Sequence, residues 1–139
     1  MANSPKPRIL VVDDDPCIRE SLGMLLMSVG YEVDMANNGL SAVSCLERSV
    51  PDLIVSDLDM PEMSGMELIS HVRTQYPSIS IVAMSGDYQG EAVPASIIAD
   101  RFYPKGQHPH FLLTTIASLI ATNAARSTDE HRSRPAQNS

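Results

Sequence analysis

A doubly wound α/β domain on a five-stranded parallel sheet is the fold this sequence predicts, and three observations carry the prediction. Short β-branched apolar runs alternate with stretches of helical periodicity over residues 8–121. The middle runs, Leu53–Ser56 and Ile79–Met84, are apolar almost throughout, as strands covered on both faces are. The segments between runs are long enough for helical crossovers, which parallel strands need. The expected strand order is 2-1-3-4-5, with helices on both faces.

The elements follow in order. Arg8–Val12 reads as the first strand and stops at Asp13, Asp14 and Asp15. Pro16 then suits the first helical position, with Asp15 as N-cap. Ile18, Leu22, Leu25, Leu26 and Val29 recur at helical spacing, and Gly30 stands where a left-handed C-cap belongs. Tyr31–Met35 alternates as a half-exposed strand. Asn37-Asn38-Gly39 turns the chain into a second helix marked by Leu40, Val43 and Leu46, closed before Pro51. The third strand, Leu53–Ser56, ends at Asp57. Met66, Ile69 and Val72 mark a third helix, which stops ahead of Pro77. Ile79–Met84 is the fourth strand and Arg101–Tyr103 a weak fifth. Between them Pro94 is read as opening a short helix to about Asp100, after a loop at Gly86–Gly90. Phe111–Ala121 is the last helix. Residues 1–7 form an N-terminal extension, 8–122 the folded domain, and 123–139 a polar tail expected to be disordered.

Composition narrows the function. The chain has 139 residues, enough for one domain with one sizeable core. Its formal charge of -7 argues against binding nucleic acid or anionic membranes directly, because both need surplus Lys and Arg. No N-terminal apolar segment suggests a secretory signal, and no run is long enough to span a bilayer. A cytoplasmic location is therefore expected. Cys17 and Cys45 read as helix residues without chemistry. His71, His108, His110 and His131 lack the spacing of a metal site.

Chemistry in an open parallel sheet gathers at the carboxyl ends of the strands. Asp13 and Asp14 end the first strand, Asp57 the third and Ser85 the fourth, and Lys105 follows the fifth. In the order 2-1-3-4-5 these strands are neighbours, so the five side chains converge. Three carboxylates in one pocket repel each other unless a cation joins them. Hard oxygen ligands of this kind suit Mg²⁺, or Mn²⁺ in its place. With a Lys charge and a Ser hydroxyl they make up a phosphoryl-transfer site, with Asp57 as the carboxylate nucleophile.

Two runs carry a resemblance to a known family. Ile9-Leu10-Val11-Val12-Asp13-Asp14-Asp15 is similar to the opening of a response-regulator receiver domain. Asp57-Leu58-Asp59-Met60-Pro61-Glu62-Met63-Ser64-Gly65-Met66-Glu67-Leu68 resembles that family's D-x-x-M-P-x-M-x-G-x-E-L run. The resemblance implies a flavodoxin-like fold of the single-domain, chemotaxis-regulator type. It implies Asp57 as phosphoacceptor, Asp13 and Asp14 as metal ligands, and Asp59 as a ligand through its backbone carbonyl. Ser85 and Lys105 would contact the phosphoryl group, and Phe102 would be the aromatic switch. Such a domain is no enzyme beyond its own phosphorylation and dephosphorylation. Its donor is a sensor histidine kinase or a histidine phosphotransfer protein. With no helix-turn-helix or catalytic output region in view, output is expected through a downstream protein target or an onward relay, from a monomer or weak dimer.

Where the family has Lys-Pro with a cis bond, this chain has Lys105-Gly106, and Pro104 precedes the lysine. A trans bond and a differently shaped loop through His110 are expected. Asp15, Asp59 and Asp87 add acidic side chains near the pocket and are expected to set the lifetime of the acyl phosphate. Two rival readings are an interaction module that takes no phosphate and, on the strand-D-x-D of Ile54–Asp59, a haloacid-dehalogenase-type phosphatase. The phosphatase reading fits poorly, because there the D-x-D lies near the chain start and a later acidic pair holds the metal.

Overall fold

The structure, a computed structural model, describes residues 6–60, 65–86 and 99–137. Five strands, β1 (Arg8–Val12), β2 (Glu32–Ala36), β3 (Leu53–Asp57), β4 (Ser80–Ser85) and β5 (Arg101–Pro104), form one parallel sheet in the order β2-β1-β3-β4-β5. Helices α1 (Pro16–Ser28), α2 (Gly39–Arg48), α3 (Gly65–Gln75) and α4 (Pro109–Gln137) complete the described elements. The expected short helix from Pro94 and the loop from Asp87 to Gly90 lie outside the described residues.

The side-chain alternation of a strand divides the core in two. Leu10, Val12, Ile54, Ile81 and Ala83 point to one face, where Ala42, Cys45 and Leu46 of α2 and Leu68, Ile69 and Val72 of α3 cover them. Ile9, Val11, Val55, Val82 and Met84 point to the other, under Leu26 of α1 and Leu112, Ile116 and Leu119 of α4. Every residue of β3 and β4 is buried, which is why those strands read as apolar almost throughout.

Local chemistry sets the helix ends. The Asp15 carboxylate accepts from the Cys17 and Ile18 amides, as an N-cap should. At the other end of α1, Gly30 N–H donates to Met27 O and Tyr31 N–H to Leu26 O, with Gly30 at φ 106°. That pair of bonds is the Schellman arrangement, and its left-handed residue favours glycine. Asn38 caps α2 through the Ser41 amide at 2.7 Å.

The structure corrects several details. Val29 and Leu40, counted in the helical periodicity of the sequence, are exposed. Val29 is the cap rather than a helical residue, so the periodicity of α1 ends before it. Leu40 sits in the first turn of α2, where Ala42, Cys45 and Leu46 supply the buried face. Helix α4 runs from Pro109 to Gln137, past the Ala121 end expected for it and into the stretch read as a disordered tail. Between His110 and Arg134 there is neither Gly nor Pro to stop it. No described helix is long and apolar enough to cross a membrane.

Both ends of β5 are tied to β4. At the start, Asp100 N–H donates to Ile81 O at 2.8 Å, and the Asp100 carboxylate accepts from Ile81 N–H at 2.7 Å and from Arg73 at 3.0 Å. At the end, Lys105 N–H donates to Ser85 O at 3.0 Å.

Candidate functional site

The carboxyl ends of β1, β3, β4 and β5 bring together the residues that sequence reasoning placed there. The register sets Val12 beside Ser56, Asp57 beside Met84, and Ser85 beside Pro104. Residues one step beyond those pairs therefore share one pocket. Asp13, Asp14 and Asp57 each offer a carboxylate oxygen, and these atoms lie within 4.8 Å of one another. Asp13 and Asp57 are buried and Asp14 is exposed, so the cluster opens to solvent on one side.

Lys105 spans the two buried acids, with Nζ 3.0 Å from Asp13 Oδ2 and 3.3 Å from Asp57 Oδ2. Gly106 does not spoil that aim. Gln107 N–H donates to Pro104 O at 3.2 Å, and Gly106 has φ 99°. This is a type II turn with glycine at its left-handed position, so the loop departs from Lys-Pro yet still presents the ammonium. No cis peptide bond occurs among the described residues, in keeping with the trans bond expected after Lys105.

Each backbone turn fixes its acid. Asp15 N–H donates to Asp13 Oδ1 at 2.9 Å, and Asp59 N–H donates to Asp57 Oδ1 at 3.0 Å. Leu58 N–H donates to Met84 O at 2.8 Å, extending the ladder past the strand end. Ser85 Oγ donates to Asp59 Oδ2 at 2.8 Å. Phe102 is half-buried against the α2–α3 side of the core. Its neighbour Tyr103 faces the α1–α4 side, where its hydroxyl donates to Gln107 O at 2.6 Å. Asp87 lies outside the described residues.

Sequence reasoning missed Arg19. Its Nη1 donates to the Asp13 carbonyl at 2.9 Å, bracing the turn that carries the acidic pair. The available signal was its position one helical turn after the N-cap Asp15. The Ser85–Asp59 contact was missed too, since nothing in spacing or composition pairs those two side chains.

The electrostatics follow from burial and from how few positive charges face the acids among the described residues. Burial pushes the Asp57 carboxyl up, to about 6; the Asp59 amide works against this, the Asp13 charge adds to it, and Lys105 opposes it. Burial acts to lower the Lys105 ammonium, but bonding and charge from Asp13, with those of Asp57, outweigh it and leave the group raised. Asp13 Oδ2 is buried, and the Lys105 ammonium 3.0 Å away, which it shares with Asp57, compensates its charge only in part. A buried carboxylate oxygen of this sort, in a group of three acids of which two share one ammonium, fits a hard divalent cation.

Comparisons with known proteins agree with this geometry. The profile of the response regulator receiver domain matches residues 9–116. The response regulator MprA of Mycobacterium leprae (strain TN) is 36% identical over 115 residues, covering 81% of this chain and 50% of its own. This chain thus spans about half the length of that relative. An uncharacterized 14.6 kDa protein in the sodA1 3'region of Leptolyngbya boryana is 44% identical over 89 residues, 60% of this chain and 68% of its own. Among solved structures, response regulator TrrA from Thermotoga maritima in complex with Mg(2+)-BeF is 33% identical with a TM-score of 0.76, over 81% of this chain and 98% of that one. TrrA has also been crystallised in complex with the histidine kinase ThkA. Chemotaxis protein CheY4 of Vibrio cholerae is 30% identical with a TM-score of 0.76, over 82% of this chain and 98% of that one. With the 2-1-3-4-5 sheet and the acidic cluster at its carboxyl edge, these matches place the chain in the response regulator receiver domain family of two-component signalling.

Proposed function

We propose that this chain is a phosphorylation-driven switch in which the Asp57 carboxylate accepts a phosphoryl group from the phosphohistidine of a sensor histidine kinase or a histidine phosphotransfer protein. The observation that supports it most is the placement of Asp57: a buried carboxylate at the end of β3, in a three-acid group, with Lys105 Nζ at 3.3 Å. Mg²⁺, or Mn²⁺ in its place, would be held by the carboxylates of Asp13, Asp14 and Asp57 and the backbone carbonyl of Asp59. When bound, it offsets the negative charge of the phosphoryl oxygens.

The chain's own residues do the rest. An Asp57 oxygen attacks phosphorus, a P–O bond forms, and the P–N bond to the donor imidazole breaks. The imidazole leaves with the electron pair and takes a proton from solvent. Lys105 holds positive charge where the incoming group needs it, and the Ser85 hydroxyl donates to a phosphoryl oxygen. Water later cleaves the acyl phosphate and restores the carboxylate.

Phosphorylation shifts the balance between two states. Ser85 closes toward the new dianion, and the Phe102 ring turns into the space it leaves. We assign this role to a folded unit of residues 8–122, cytoplasmic, monomeric or weakly dimeric, and acting on a protein target or an onward relay rather than on nucleic acid. Helix α4 continues beyond that unit to Gln137, with Asn123 Nδ2 donating to Ser80 Oγ at 2.7 Å.

Incubation with acetyl phosphate or phosphoramidate and Mg²⁺, followed by intact mass, tests this reading. One added phosphoryl group is expected in the wild type and none in Asp57→Asn. An unlabelled wild type would leave only a binding module that takes no phosphate, and steady turnover of a phosphomonoester would point to a phosphatase.

A further inference from the structure

The Ser85 hydroxyl carries one proton, so it donates to one acceptor at a time. In this structure it donates to Asp59 Oδ2 at 2.8 Å. Asp59 is itself tied to the acceptor carboxylate, since its N–H donates to Asp57 Oδ1 at 3.0 Å. The β3–α3 turn thus holds Asp57 through its backbone and Ser85 through its side chain. Leu58 N–H bonded to Met84 O anchors the same turn to β4, one residue before Ser85.

We infer that the Asp59 carboxylate is a resting-state latch, which holds the Ser85 hydroxyl away from the phosphoryl position and sets how far the equilibrium leans toward the unphosphorylated state. The inference rests on Asp57 being the phosphoacceptor. A phosphoryl group on Asp57 must win the Ser85 hydrogen bond from a carboxylate acceptor already in place. Removing the latch therefore favours the liganded state, and it does so only when Ser85 is present. An effect of plain charge repulsion between Asp59 and a bound anion would persist without Ser85. That difference makes Asp59 a positioning residue acting through Ser85, and a double-mutant cycle reads it directly.

Beryllofluoride with Mg²⁺ is the probe, titrated into wild type, Asp59→Ala, Ser85→Ala and the double variant. Asp59→Ala is expected to tighten beryllofluoride binding about tenfold, the scale of one hydrogen bond to a charged group. In the Ser85→Ala background the same substitution should change affinity by less than about twofold. Asp59→Asn, which keeps an acceptor and drops the charge, should tighten binding less than Asp59→Ala. Equal tightening in both backgrounds, or none in either, overturns the latch. Thermal unfolding of the same four proteins in chelator gives a second readout. A favourable Asp59–Ser85 coupling is expected there, and its absence also overturns the inference. Wild-type protein that fails to bind beryllofluoride, yet shows that coupling, would instead remove the phosphoacceptor reading on which the latch depends.

Discussion

In the resting protein the Asp57 carboxylate is buried beside a second buried carboxylate and shares one ammonium with it, so its ionised form is disfavoured, by burial first and by Asp13 after that. Its pKa of about 6 in the folded chain lies above the ordinary carboxylate value, so the folded state binds this proton more tightly than the unfolded state does. Below about pH 4 the group is protonated in both states and costs nothing. The cost grows as pH rises between the two values and is complete above the folded one. Asp57→Asn in chelator should therefore stabilise the protein by roughly 2–3 kcal/mol at pH 7 and by little at pH 4. Chemical denaturation at the two pH values checks it; equal effects at both would mean the gain comes from somewhere other than the buried charge. The residues of this pocket were legible because each stands at a strand end, where topology alone fixes its neighbourhood. The Ser85–Asp59 bond was not, because it depends on how two turns lean toward each other.

At the scale of single elements, the sequence spoke most clearly where backbone chemistry is specific. Asp15 and Pro16 at the start of α1, Gly30 at its end and Asn38 before α2 all act as their residue types require. It spoke less clearly at the edges of amphipathic faces. Val29 and Leu40 continue an apolar pattern that the helix geometry does not bury. The run of α4 beyond Ala121 was not legible because its composition is polar, although no Gly or Pro interrupts it before Pro135. The Pro104–Gln107 turn yields an element-level prediction. Gly106 at φ 99° meets nothing within 4 Å of an added Cβ, so the obstacle to Gly106→Ala is backbone conformation alone. A loss of about 1–2 kcal/mol in unfolding free energy is expected. Labelling by phosphoramidate should slow as well, as the turn that aims Lys105 relaxes. An unchanged labelling rate would show that Lys105 is aimed by its carboxylate partners rather than by its loop.

Across the whole molecule, the acidic site and the fold are energetically linked. Three clustered acids in a chain of net charge -7 oppose compaction unless a cation joins them. A cation that binds the folded chain and not the unfolded one stabilises it by mass action. Above its dissociation constant, each tenfold rise in Mg²⁺ should add about 1.4 kcal/mol to the unfolding free energy. Melting curves across a Mg²⁺ series test this, and Asp14→Ala should flatten the response. A stability that does not vary with Mg²⁺ would separate the acidic cluster from metal binding altogether.

The two ties on β5 have a mechanical consequence. Asp100 fastens the strand to Ile81 where it enters the sheet, and the Lys105 amide fastens it to Ser85 where it leaves. A ribbon fixed at both ends has no stroke. It cannot slide along its neighbour, so whatever passes through this edge of the sheet must travel by side chains turning about a stationary axis. In the switch proposed above, Phe102, half-buried on one side of that axis, would turn while the ladder beneath it stays in register.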